Sequence, residues 1–219
     1  MSQEMLALLL EALGETLYMV AVSDGISTVL GVPLGVILVS TSRGHILQNL
    51  WLNRILGYIA NATRSTPFII LMVAIIPLTR IIVGSSIGTT AAIVPLTISA
   101  APFIARIIES SLLEIDHGVI EAAQAMGASP LQIVNKVLLP EALHSIVLGI
   151  TLAIISLIGY SAMAGALGGG GLGDLAIRYG YQRFRVDIMI ATVVVLIAQV
   201  QIVQSCGNYI SKKLNKNKL

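Results

Sequence analysis

The chain has 219 residues, of which 56% are hydrophobic and 11% charged, with a net charge of +2 and a mean hydropathy of +0.90. Soluble domains carry roughly 25% charge, so lipid must be the solvent for most of this chain, and its sparse positive charge excludes a nucleic-acid footprint. The single cysteine, Cys206, excludes an internal disulfide, and no Cys/His spacing suits a metal, so no cofactor and no metal are expected.

The first sixteen residues contain no Lys or Arg and only a six-residue apolar run, Met5 to Leu10, which is not the layout of a cleaved signal peptide. The first membrane span is expected to serve as its own insertion signal. About 20 apolar residues cross the hydrocarbon core, and five stretches approach that length: 17–39, 67–83, 87–108, 143–166 and 188–203. The predicted fold is therefore all-α and membrane-embedded, with five transmembrane helices. The stretch 67–83 is the shortest, its start marked by Thr66 as helix cap and Pro67 in the first turn. Before it, 46–60 is amphipathic and suited to lie along the membrane surface.

An odd number of spans places the two ends on opposite sides. The basic tail Lys212, Lys213, Lys216, Lys218 puts the C-terminus inside and the N-terminus outside. Arg43, Arg54, Arg64, Arg106, Lys136 and the four tail lysines are then inside, against Arg80, Arg178, Arg183 and Arg185 outside, with three of those four clustered in conflict with the rule. Asp24 falls about eight residues into the first span, some ~12 Å below its outer edge at ~1.5 Å per residue, where hydration is expected. Arg64 is expected to snorkel to the inner headgroups.

Between the third and fourth spans, 109–140 is too polar to cross a membrane and too apolar for a disordered linker, so it must dock on something. Glu121, Ala122, Ala123 and Ala125 form a short helix of small side chains that Gly127 can end at positive φ. Ser129 caps a second helix opened by Pro130, with an apolar stripe of Leu131, Val134, Val137 and Leu138 that ends before Pro140. Two short helices at a fixed angle make a compact knob. The glycines Gly168 to Gly171 lack the Lys and Ser/Thr of a phosphate loop and are read as a flexible external connection. No histidine lies within reach of Ser161 for nucleophilic catalysis: His144 is 17 residues away, about 25 Å along one helix. No enzymatic activity is expected of the chain itself.

Glu121-Ala122-Ala123, Gly127, Ile133 and Leu139-Pro140 resemble the EAA signature of permeases in type I ATP-binding-cassette importers. Three further runs, Arg64 to Ile70, Ala101 to Arg106 and Gly159 to Gly165, with Gly171 to Asp174 and Arg178 to Tyr181, resemble the methionine branch of that family. The likeness spans residues 13–204 as a permease unit, with 109–140 as its coupling segment and 205–219 as a basic cytoplasmic tail. His144 stands where members often carry a proline. The resemblance implies a subunit of the bacterial inner membrane that works as a homodimer, with two cytoplasmic ATPase subunits and an external methionine-binding lipoprotein, and methionine as cargo. It implies that Glu121, Ala122, Ala123, Gly127, Leu139 and Pro140 couple transport to ATP hydrolysis on the partner. Tyr160, Ser161 and Met163, in the span that follows the knob, are candidates to line the pathway; Met163 is suited to plugging a narrow pore or touching a thioether. Another amino acid or small solute as cargo, or a stand-alone channel, are the alternatives.

Overall fold

The computed structural model describes residues 3–215, all of whose regular structure is helical. Four helices are long and apolar enough to cross a membrane: α1 (Gln3–Thr41), α5 (Thr89–Leu113), the run Pro130–Gly169 that contains α8 (Leu139–Ala164), and α10 (Val186–Leu214). The second expected span is present as two short pieces, α3 (Phe68–Ala74) and α4 (Ile76–Val83), joined at Ile75. Pro77 sits in the first turn of α4, where its missing N–H would have no intrahelical partner, so the new helix starts at the break. Thr66 does not cap α3; its hydroxyl bonds back to Ala62 O and closes α2 (Leu50–Ser65), while Pro67 takes the cap position. The amphipathic stretch is α2 itself, capped by the Asn49 side chain on Leu52 N–H, and it exposes Trp51 and Tyr58 as interfacial aromatic residues do.

Helix directions follow from the close approaches. A Cβ on Gly31 would lie 2.8 Å from Ile104 Cγ2, and one on Gly35 2.6 Å from Ile108 Cβ, so α1 and α5 run parallel. Glycine at these turns lets the two backbones meet where lipid supplies no hydrophobic drive. Gly149 of α8 faces Ile107, and Gly169 faces Ala92, so α8 runs against α5; Gly207 faces Thr151, and Ser211 bonds His144, so α10 runs against α8. The α3–α4 pair climbs from Arg64, beside Phe103, to Gly88, whose N–H bonds Gly168 O at 2.9 Å. The alternation is that of five crossings.

Both ends of the predicted unit run further than the apolar stretches suggest. At 39 residues and ~1.5 Å each, α1 is about 58 Å long. Its first turns are held by Met5, Leu9 and Ala12 packing on Leu172, Leu175 and Ile188. Asp24 therefore lies near the helix middle rather than close to its edge. Its Oδ1 is buried and has no hydrogen-bond partner, as are Ser23 Oγ, Thr28 Oγ1 and Thr97 Oγ1. The boundaries 13 and 204 fall inside α1 and α10, and 205–214 of the expected tail is helix; Lys216 and Lys218 lie outside the described residues.

Gly168 to Gly171 is not a flexible connection. After α8 the chain reverses through 165–170, and α9 (Gly171–Leu175) folds back on the end of α8. Gly173 sits against the Ala162 backbone, and a Cβ on Gly165 would lie 2.5 Å from Asp174 N. Gly171 N–H donates to Glu15 Oε2 at 2.6 Å and Leu172 N–H to Thr16 Oγ1 at 2.9 Å, which fastens the hairpin to α1. The glycines are there because side chains would not fit.

Candidate functional site: the knob and the groove

The knob is built from α6 (His117–Ala125) and α7 (Pro130–Ile133). Asp116 caps α6 by accepting from Gly118 N–H at 2.7 Å. Gly127 has φ +80°, and the paired bonds Gly127 N–H to Gln124 O and Ala128 N–H to Ala123 O make the left-handed helix end expected of it. Ser129 and Gln132 form a reciprocal capping box at α7. Local chemistry thus fixes the angle between the two helices.

Ile120 and Ala123 are buried against Val39, Ile108, Leu112, Ile133 and Leu138, so the third signature residue faces the bundle. Glu121 and Ala122 face outward. Of the stripe expected from sequence, Leu138 is buried and Val134 and Val137 pack against the same core, which Ile133 joins, but Leu131 turns outward and is 75% exposed. Together with Met126, 82% exposed, Leu131 puts an uncovered apolar tip on the knob. Met126 was invisible to the motif; the available signal was a large apolar residue beside a glycine in a segment otherwise rich in small and polar side chains.

Pro140 does not end the second helix. Backbone from Pro130 to Ala164 is one run, because Val134–Leu138 forms a widened turn in which Leu139 N–H reaches back to Val134 O. Such a turn accommodates the missing proline donor and its ring without breaking the axis. The second helix of the knob, α7, and α8 are consequently one element, with Leu139 half-buried and Pro140 exposed at the joint.

On α8, Ser145, Leu148, Leu152, Ser156, Gly159 and Met163 recur at three- and four-residue intervals on one unburied face. Met163 is 43% exposed. Tyr160 is partly buried and stacks on Phe68 of α3, ring centres 4.8 Å apart and planes 9° from parallel. Ser161 points the other way: it is buried and donates to Ile158 O at 2.8 Å. At the knob end of this face an open groove of about 560 Å³ lies between α5 and α8, lined among others by Arg64, Arg106, Glu114 and Leu152. Arg106 pairs with Glu109 and donates to Gly57 O at 2.9 Å, tying α2 to α5. Arg64 lies 5.6 Å from the centre of the Phe103 ring, so it belongs to the groove wall.

Residues 31–216 match the family described as binding-protein-dependent transport system inner membrane component. The chain is 58% identical over 208 residues to a Vibrio cholerae protein described as a probable D-methionine transport system permease protein MetI, covering 95% of this chain and 92% of that one. It is 56% identical over 165 residues to the Escherichia coli K12 D-methionine transport system permease protein MetI, 75% of this chain and 76% of that one. A solved structure of the MetNI methionine ABC transporter in inward-facing conformations contains a chain with a TM-score of 0.97 and 50% identity, covering 99% of this chain and all of that one. A chain of an amino acid ABC transporter solved with histidines shares the fold alone, at 19% identity and a TM-score of 0.78.

Proposed function

The chain belongs to the family of binding-protein-dependent transport system inner membrane components, and from that premise we propose that it is the permease subunit of an ATP-driven methionine importer. It works in the inner membrane as a homodimer with two ATPase subunits, and it receives methionine from an external binding protein. The observation that carries this reading is the likeness, over essentially the full chain, to the permease of a methionine ABC transporter. The subunit itself does no chemistry: ATP is hydrolysed on the partner, and this chain supplies a pathway that opens to alternate sides.

The knob is the coupler, with Glu121, Ala122 and the exposed Met126 and Leu131 facing the ATPase subunit, and Ala123, Gly127, Leu139 and Pro140 holding the knob's shape and its joint to α8. Because Pro130–Ala164 is one run, a displacement of α7 is carried along α8 to Met163 without an intervening hinge. The unburied α8 face and the α5 groove form the pathway wall, Met163 contacts the passing side chain, and Tyr160, braced by Phe68, backs it. Ser161 holds the turn beneath. The N-terminus lies outside and the C-terminus inside. The three outside arginines oppose this orientation less than their number suggests, since Arg178 pairs with Asp174, Arg185 pairs with Asp187, and Arg183 stacks 4.4 Å from the Tyr179 ring centre. A panel of amino acids offered, with the binding protein, to the assembled complex tests the cargo: methionine, as either enantiomer, stimulates ATP hydrolysis, and stimulation by a different amino acid alone would assign another substrate.

A further inference from the structure

The knob has a second attachment to the bundle, apart from its apolar base. His117, the first residue of α6, sets Nδ1 3.3 Å from Glu121 Oε1 and Nε2 3.2 Å from Gly44 O. Gly44 lies in the corner 42–49 that joins α1 to α2, and His45 of the same corner meets His117 edge-to-face, ring centres 5.8 Å apart at 71°. One imidazole therefore spans the signature carboxylate of the knob and the inner end of α1. Both partners of its nitrogens, a carboxylate and a carbonyl, only accept hydrogen bonds. A neutral imidazole carries one N–H and can complete one of the two contacts, whereas the imidazolium completes both.

We propose that His117 is a positioning residue for coupling: in its protonated form it bridges Glu121 to the Gly44 carbonyl, so that movement of the knob is delivered to α1 as well as to α8. This rests on the proposed docking of an ATPase subunit on the knob. The titratable groups in contact with the ring are Glu121 on α6 and His45 on the corner, while Asp116 caps α6 beside it and Arg43 precedes Gly44 in the chain. Asp116 is engaged by Gly118 N–H. Burial, and secondly the neighbouring His117, hold His45 below the usual imidazole range. Glu121 is exposed and also faces the docking side. An ATPase group that draws its carboxylate away would release His117 from the knob, which makes the bridge responsive to the engagement it transmits.

The test is methionine transported per ATP hydrolysed, measured with the complete complex in proteoliposomes while the pH on the ATPase side is lowered from about 8 to about 6.5, through the upper part of the imidazole range. For the wild type the ratio rises. His117→Leu, which cannot donate, gives a ratio about two- to fivefold lower at the acid end, the scale of an exposed charged contact, and no dependence on pH. His117→Arg, a permanent multiple donor, restores the ratio and makes it independent of pH. A His117→Leu ratio equal to wild type at every pH overturns the bridge; so does a low His117→Leu ratio with a flat wild-type profile, which marks His117 as merely structural. Failure of the permease reading is separate: the wild-type complex would then move no methionine with ATP at any pH.

Discussion

Gly127 and Gly173 are glycines for different reasons, and substitution separates them. At Gly127, φ is +80° and the space around a Cβ is open, so Gly127→Val strains only the backbone, by about 1–2 kcal/mol. The expected result is a protein that inserts and docks its partner yet transports poorly, checked by uptake and ATPase activity on one preparation. At Gly173 the obstacle is the Ala162 backbone, which cannot yield. Gly173→Ala should lower the melting temperature of the purified protein by several degrees, an overpacking cost of about 1–3 kcal/mol. Gly159→Ala, on α8 with nothing within 4 Å of its Cβ, should leave it unchanged. His45 supplies a pH dependence. Its proton affinity in the folded protein is reduced, so the unfolded chain takes up a proton first as pH falls. The stability it contributes is whole above the ordinary imidazole range and is lost as pH drops through its folded value. His45→Gln should flatten the acid limb of a melting-temperature profile; an unaltered limb would show that another group sets it.

Among the elements, the widened turn at Val134–Leu138 was the one the sequence hid. Leu139-Pro140 reads locally as a stop, because the donor missing from proline is visible and the five-residue reach that absorbs it is not. The consequence is that α7 has no hinge to α8. Inserting Gly-Gly between Leu139 and Pro140 should leave ATPase co-purification intact and abolish transport; retained transport would mean that α8 is not the lever. The α8 face was legible only in part. Spacing alone paired Tyr160 with Met163, but which side of the helix met the bundle depended on Phe68 and on the folded-back hairpin. With Cys206, which is exposed on α10, replaced, cysteine at 163 should react with a water-soluble thiol reagent in a nucleotide-dependent way and cysteine at 161 should not. Equal labelling at both would refute the face assignment.

For the molecule as a whole, hydropathy located every crossing because length and apolarity are what a bilayer selects. It failed where tertiary contacts decide: α1 begins at Gln3 since Met5 and Leu9 find the hairpin, and the glycine run is packed since α1 offers Glu15 and Thr16 to its N–H groups. The knob was readable because caps and a positive-φ glycine are local signals, whereas the His117 contact joins residues 73 apart in sequence and leaves no pattern. Whether the subunit passes methionine inward only when a partner hydrolyses ATP is read from accumulation of labelled methionine in proteoliposomes holding the chain, its ATPase and the binding protein. Methionine should accumulate above the equilibrium level with ATP, and omitting ATP or adding excess unlabelled methionine should abolish this; equilibration to the same level with and without ATP would rule out an ATP-driven importer.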